Sequence, residues 1–294
     1  MIIDFHTHTF PEKIAHRAVE ELKGKSGTPA YTDGTNGDLL RKAKKAGVDL
    51  SVIQPVATSP SQVVSINDHA ARVNEEYHNA GLLSFGCMHP DFSDYRSELK
   101  RIRENALPGI KLHPVYQGAD LDDIRFLRVI SCAAEQELMV LTHMGWDIGF
   151  PGVEHCSPRM AAHVLKEIGE FSFILAHMAG WKQWEEAKDC LAGTGVYLDT
   201  SVSVGRLHAA PGSSWSAEEL QMLDTEGFLS MHRAFGGDRI LFATDSPWSE
   251  QTEAISFIRE LPLDNMQKEK ILGKNAEDLL RKHKVRIYSS ESSS

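Results

Sequence analysis

The sequence repeats a short apolar run followed by a helix-length segment, and this alternation restricts the possible folds more than any other feature. Eight such runs occur in the 294 residues: Ile2–Phe5, Leu50–Pro55, Leu82–Met88, Gly109–Leu112, Leu138–Thr142, Phe171–Ala176, Val196–Leu198 and Ile240–Ala243. Several are apolar throughout, which is typical of parallel strands covered on both faces. Eight strand–helix units in a chain of this length predict an α/β fold, a (β/α)8 TIM barrel.

The segments between these runs show the 3.6-residue periodicity of amphipathic helices. The predicted helices include Glu12–Leu22, Asp38–Ala46, Leu121–Glu137, Ser157–Ile168 and Ala217–Phe235. Ser157 is a predicted N-cap, with Pro158 as the first helical residue. Gly47, Gly81 and Gly236 lie where helices are expected to end.

The main alternative fold is a doubly wound open sheet. Such a sheet normally carries a glycine-rich phosphate-binding loop after its first strand, but residues 6–11 of this chain read His-Thr-His-Thr-Phe-Pro. No linker or internal repeat divides the sequence. We therefore expect one barrel domain over residues 1–288 and a disordered polar tail over residues 289–294.

Charge and composition argue against several classes of function. The formal net charge is −10 and the pI is about 5.8, whereas binding to nucleic acid requires a basic surface. No apolar run approaches the roughly 20 residues of a membrane span, and no basic segment precedes the first strand. The four cysteines form no Cys-x-x-Cys pair. We expect a cytoplasmic protein that acts on a small molecule, without a nucleic-acid or membrane partner; a homo-oligomer is an open alternative.

Four of the apolar runs lead into potential metal ligands. His6 and His8 follow the first run two residues apart, so that their side chains would share one face of a strand. His143, His177 and Asp245 follow three later runs directly or after one residue. Because active sites of such barrels lie at the carboxyl ends of the strands, these groups should converge. Imidazole and carboxylate suit divalent transition metals, so the pattern predicts a metal site.

Two of the strand-end residues have alternative roles. Asp245 could cap the following helix, or it could bind the metal and accept a proton from metal-bound water. A lysine that points into a barrel mouth is costly unless it is paired or modified. Lys111 could therefore form a salt bridge or contact a substrate carboxylate, or it could be carbamylated and bridge two ions.

Further residues could line a substrate pocket in the loops after the strands. His113 shares a strand face with Lys111, and Arg206 follows the seventh run. Trp146, Asp147, Trp181 and Trp248 each lie three or four residues beyond a strand-end ligand. We predict substrate contacts for His113, Trp146, Arg206 and Trp248, with packing or solvent exposure as the alternative for each.

The pattern resembles the amidohydrolase superfamily of metal-dependent barrels. Within it, the chain is similar to the branch that includes aminocarboxymuconate-semialdehyde decarboxylase, resorcylate decarboxylase and pyrone-dicarboxylate lactonase. The resemblance extends from Asp4-Phe5-His6-Thr7-His8 to Thr244-Asp245-Ser246-Pro247-Trp248, and so covers nearly the whole chain.

The resemblance implies a role for each strand-end residue. His6 and His8 match the metal pair of the first strand, His143 matches the ligand of the fifth, and Asp245 matches the ligand and base of the eighth. His177 matches a histidine that assists catalysis in single-metal relatives and binds a second ion in two-metal relatives. Lys111 lies where two-metal relatives carry a carbamylated lysine.

We therefore expect a metal-dependent hydrolase that acts on a small carboxylated ring, lactone or amide. The expected cofactor is a divalent metal, with zinc favoured. The site would hold one ion or, in the alternative, two. Asp245 would be the general base, and His177 would stabilise a developing oxyanion. The alternatives are a metal-dependent non-oxidative decarboxylase of a small aromatic or unsaturated acid, and a metal-binding barrel without catalytic activity.

Overall fold

A computed structural model describes residues 1–287 and shows a closed parallel barrel; the predicted tail at 289–294 lies outside the described residues. The strands are β1 Ile3–Thr7, β2 Leu50–Ile53, β3 Leu82–Ser84, β4 Gly86–Cys87, β5 Gly109–Leu112, β6 Met139–Thr142, β7 Phe173–Leu175, β8 Tyr197–Asp199 and β9 Ile240–Leu241. β3 and β4 are two parts of one barrel strand, because the Phe85 N–H between them donates to the Ile53 carbonyl at 2.9 Å. The eight-stranded TIM barrel predicted from the sequence is confirmed.

The barrel closes between its first and last strands. The Phe5 N–H donates to the Phe242 carbonyl at 2.9 Å, and Thr7 forms a parallel bridge with Ser246. Every paired strand runs parallel to its neighbours. The carboxyl ends of all strands therefore meet at one rim, where the candidate site residues were expected.

Twelve α-helices surround the strands. They are α1 Glu12–Ser26, α2 Asn36–Ala46, α3 Val63–Tyr77, α4 Tyr95–Glu104, α5 Pro114–Gln117, α6 Ile124–Glu135, α7 Pro158–Ile168, α8 Trp184–Leu191, α9 Thr225–Phe235, α10 Gln251–Glu260, α11 Asn265–Glu269 and α12 Asn275–Lys282, as described within residues 1–287. A π-helical segment, Lys270–Lys274, joins the last two. No helix within the described range is long and apolar enough to span a membrane.

Capping residues explain where the predicted helix bounds were wrong. The prediction began one helix at Ala217, but α9 begins at Thr225, because the Asp224 carboxylate accepts a hydrogen bond from the Gly227 N–H and caps it. The Asp123 side chain caps α6 in the same way. Where the prediction used a cap, it was accurate: α7 has Ser157 at its N-cap.

Strand alternation carries polar side chains from the barrel interior into its mouth. On β6, Met139 and Leu141 belong to the inner core cluster, and His143 comes next in the same alternation. Leu241 and Ala243 precede Asp245 in the same way. Lys111 and His113 occupy alternate positions on and after β5. The apolar interior ends at this level, so the polar groups lie together above a packed core.

Candidate metal centre

His6, His8 and Asp245 form the first candidate metal-binding group. Asp245 Oδ1 lies 2.8 Å from His8 Nε2 and 3.4 Å from His6 Nε2. This oxygen is buried, and no contact to it within residues 1–287 has the geometry of a hydrogen bond. Two imidazole nitrogens and an unpartnered carboxylate oxygen match the ligands of a divalent transition metal. The residues present therefore fit such an ion.

The backbone before Asp245 is held by Asp4, which the sequence analysis quoted only as part of a motif. The buried Asp4 carboxylate accepts hydrogen bonds from the Thr244 N–H at 2.9 Å, the Thr244 hydroxyl at 2.6 Å and the Gln251 amide at 2.8 Å. Asp245 itself has φ +64°, which is uncommon outside glycine, and its N–H donates to the His6 carbonyl at 2.7 Å. These contacts fix the carboxylate beside β1.

Asp199 orients His6, although it was not among the site residues predicted from the sequence. Its Oδ2 lies 2.8 Å from His6 Nδ1, and a carboxylate can only accept, so Nδ1 carries the proton. The lone pair on His6 Nε2 is then directed into the mouth, as a metal ligand requires. Asp199 directly follows Leu198 at a strand end. His143 was predicted as a site residue because it directly follows an apolar run, and Asp199 has the same placement.

Lys111 lies against the same nitrogen. Its Nζ is 2.9 Å from His6 Nε2, and the side chain is only 1% exposed. Burial lowers the pKa of Lys111 to about 8, although Asp245 and Asp199 favour the charged form. A metal ion on His6 Nε2 would compete with the Lys111 ammonium for one lone pair, so His6 could hold the ion only if this hydrogen bond were broken.

A chain of hydrogen bonds fixes the protonation of His177 and His143. The Ser201 carbonyl, which can only accept, lies 3.0 Å from His177 Nδ1. Burial lowers the pKa of His177, so the ring is neutral at pH 7 and its Nε2 has a lone pair. That lone pair accepts a hydrogen bond from the His143 Nδ1–H at 2.8 Å, which leaves the ring lone pair of His143 on Nε2.

His113, His143 and Asp147 form a second candidate group. Asp147 Oδ2 lies 3.5 Å from His113 Nε2 and 3.8 Å from His143 Nε2. The sequence predicted four ligands in one site: His6, His8, His143 and Asp245. The structure brings three of them together and places His143 in this neighbouring group, with His177 between the two.

The charges of the site follow from burial and close partners. Burial by itself would raise the pKa of Asp245, but His6 and His8 hold it below its ordinary value. The pKa of Asp199 is lowered to about 2 by His6 and His177 against the same effect of burial. Burial lowers the pKa of His6 to about 4 and raises that of Asp147 to about 6. At neutral pH Asp147, Asp199 and Asp245 are therefore carboxylates, and His6 is uncharged.

The other predicted substrate residues lie at different distances from the two groups. Trp146 is 51% exposed beside Asp147, and Trp248 is half-buried, with its N–H bonded to the Asp245 carbonyl. Arg206 is exposed and lines a cavity of about 470 Å³ formed by residues 205–208, 217, 220–225 and 257. The structure records no contact of Arg206, within residues 1–287, with either group of candidate ligands.

A family model described as amidohydrolase matches residues 3–282. The chain belongs to this amidohydrolase family. Among curated proteins, none matches the sequence of this chain.

Solved structures share the barrel over nearly their full length. An uncharacterized TIM-barrel protein, Bb4693 of Bordetella bronchiseptica, superposes with a TM-score of 0.75 at 18% identity, covering 96% of this chain and 99% of that chain. 5-Carboxyvanillate decarboxylase LigW of Sphingomonas paucimobilis has a TM-score of 0.65 at 15% identity, with 95% and 98% covered. A protein of Pseudomonas putida provisionally named 2-pyrone-4,6-dicarboxylic acid hydrolase has a TM-score of 0.65 at 16% identity, with 97% and 98% covered. At these identities the likeness shows the fold alone.

Proposed function

We propose that this protein is a metal-dependent hydrolase of a small carboxylated ring, lactone or amide, with zinc held by His6, His8 and Asp245. The observation that carries the proposal is the state of the Asp245 carboxylate. Its Oδ1 is buried close to two imidazoles, and none of its contacts within residues 1–287 has the geometry of a hydrogen bond. Its pKa is held below the ordinary value, so the group is ionised and able to accept a proton.

Each residue of the site has a part in this reaction. A divalent ion at this position would polarise a carbonyl and lower the pKa of bound water from about 15.7 toward 7. Asp245 accepts the proton of the attacking water at a carboxylate oxygen and later returns it to the leaving group. Lys111, once separated from His6, places a cation near the negative charge of the substrate.

His177 takes a different role from the one expected. Both of its ring nitrogens are engaged, one by the Ser201 carbonyl and the other by His143. In this arrangement it has no N–H to offer an oxyanion. We assign His177 to positioning His143.

Decarboxylation is the other outcome to be tested, because the fold is common to enzymes named for either reaction. A decarboxylase must protonate a carbon atom, which requires an acid in its protonated form. The lowered pKa of Asp245 keeps its carboxylate ionised, so this residue can accept a proton but does not hold one to donate to carbon. This property favours hydrolysis.

A substrate screen tests the proposal. Purified protein loaded with zinc is incubated with lactones, cyclic amides and aromatic carboxylic acids, and both acid release and carbon dioxide release are recorded. Asp245→Asn serves as the inactive control. We expect acid release that the variant loses. Carbon dioxide release without a hydrolysed product would replace this proposal with the decarboxylase.

A further inference from the structure

Tyr116 is held in place beside the candidate metal centre by its neighbour Gln117. Both belong to α5, a single helical turn that directly follows His113. The Gln117 amide donates to the Ala57 carbonyl at 2.9 Å and to the Met88 carbonyl at 2.7 Å, and its oxygen accepts from the His113 N–H at 3.0 Å. The turn that carries Tyr116 is therefore tied to the chain segments after β2 and β4.

The Tyr116 ring packs between two other aromatic rings. Its centroid lies 4.4 Å from that of His113, at an interplanar angle of 79°, and 4.9 Å from that of Phe150, at 75°. Edge-to-face contacts of this kind fix the plane of a ring. Phe150 belongs to the loop after β6, three residues beyond Asp147. The three rings form an aromatic wall on one side of the barrel mouth.

The last turn of α1 covers this wall. The Lys25 Nζ lies 6.0 Å from the centroid of the Phe150 ring, and a Cβ on Gly149 would lie 3.8 Å from the Lys25 Cβ. β1 and β6 are on opposite sides of the closed barrel, four strands apart in either direction when β3 and β4 count as one. A helix that follows β1 and contacts the loop after β6 reaches across the mouth. The aromatic wall is thus enclosed from above, as small-molecule sites are.

The Tyr116 hydroxyl has no partner on this wall. The side chain is half-buried, and no hydrogen bond to the hydroxyl is found within residues 1–287. A Cβ on Gly149 would lie 3.7 Å from its oxygen, and the Gly149 N–H donates to Asp147. Burial raises the pKa of the phenol, and the carboxylates of Asp147 and Asp245 raise it further, so the hydroxyl is a donor at neutral pH. A fixed and unpaired donor therefore lies near both groups of candidate ligands.

We propose that Tyr116 is a specificity-determining residue, whose hydroxyl donates a hydrogen bond to an oxygen atom on the ring of the substrate. The inference rests on the proposed function for the class of substrate, a small carboxylated ring. The aromatic wall supplies apolar contact to such a ring, and the hydroxyl selects rings that carry an acceptor oxygen. A ring without this oxygen leaves the hydroxyl unpaired beneath α1, which costs binding free energy.

Binding of benzoate and the three hydroxybenzoate isomers tests the proposal. Isothermal titration calorimetry gives their dissociation constants for zinc-loaded wild type and for Tyr116→Phe, which keeps the ring and its aromatic contacts. We expect at least one hydroxybenzoate to bind wild type more tightly than benzoate does. The variant should bind that isomer roughly 3–10-fold more weakly, the range for one hydrogen bond, and benzoate at least as tightly as wild type does.

Tyr197→Phe is the matched control. It removes the hydroxyl of another half-buried tyrosine, at the first residue of β8 and so at the opposite end of the barrel from the mouth. This variant should match wild type for all four ligands.

Three results would overturn the proposal. Tyr116→Phe could keep the wild-type preference for the hydroxybenzoate, or it could weaken benzoate and the hydroxybenzoates equally, which indicates lost packing. The third is that none of the four ligands binds wild type at millimolar concentration. If circular dichroism shows that the variant does not fold, wild-type crystals soaked with the tightest hydroxybenzoate decide. A ligand hydroxyl within hydrogen-bond distance of the Tyr116 oxygen supports the role, and its absence there refutes it.

This measurement involves no turnover, so it separates the inference from the proposed reaction. Failure of the substrate screen together with the expected selectivity would overturn the hydrolysis and leave the role of Tyr116 standing.

Discussion

The Nδ1 atom of His6 lies 2.8 Å from Oδ2 of Asp199, although 193 residues separate the two in the sequence. The other carboxylate oxygen of Asp199 accepts from the His177 N–H and the Ser201 N–H, both at 3.0 Å. One carboxylate thus sets the proton position of a candidate ligand and holds the loop that carries His177. Buried groups of this kind orient metal ligands and raise their basicity.

Asp199→Asn should weaken metal binding at His6. Both oxygens of Asp199 already accept hydrogen bonds, so an amide NH2 must face a donor on one side. Facing His6, it favours the tautomer with the proton on Nε2, which removes the lone pair. We expect roughly 10–100-fold weaker affinity in a competition titration with a zinc chelator. Asp238→Asn, at an exposed ion pair with Lys270, is the control and should not change it. Equal affinities in the two variants would contradict the role of Asp199.

Asp245→Asn should lower the rate of the reaction found in the screen. The amide keeps the shape of the side chain but cannot accept a proton, and loss of a general base costs about 10²–10⁴ in rate. The measurement is kcat, with circular dichroism to confirm that the fold is retained. The helix-cap alternative for Asp245 is wrong, because Glu250 caps α10. Turnover within a few-fold of wild type would contradict the role of Asp245 as the general base.

Lys111→Met should raise KM and leave the metal content unchanged. Methionine approximates the length of the lysine stem and removes the ammonium that lies against His6. If the ammonium meets a substrate carboxylate, its loss weakens binding of carboxylated substrates and has little effect on uncharged analogues. Comparison of the two substrate types measures this, alongside elemental analysis. A loss of metal from the variant would instead support a carbamylated lysine bridging ions.

Gly145→Ala should destabilise the loop after β6. Gly145 has φ +81°, and a Cβ there would overlap the backbone of Trp181, with which it forms a β-bridge. Gly118→Ala is the matched control, because its φ is +66° but a Cβ would meet no atom within 4 Å. We expect the control to cost about 1–2 kcal/mol from backbone strain alone, and Gly145→Ala to cost more. Chemical denaturation measures both, and equal losses would argue against the close approach.

The sequence by itself determined the barrel and the level at which the site lies. Apolar runs that end in His143 and Asp245 predict strands of a parallel barrel, and strand alternation then directs both side chains into one mouth. The same pattern predicted that Lys111 lies at a strand end and points into the barrel mouth. Periodicity of this kind depends only on local backbone geometry, which is why it can be read from the order of residues.

The tertiary structure decided which of these residues act together. Asp199 stood at a strand end like the others, but its role depends on His6 from a distant strand, and no local pattern shows that pairing. His143 was expected beside His6 and lies with His113 and Asp147. Its tautomer is set through His177 by the carbonyl of Ser201. Strand positions follow from nearby residues, whereas ring orientation and proton placement depend on hydrogen-bond partners that only folding brings within reach.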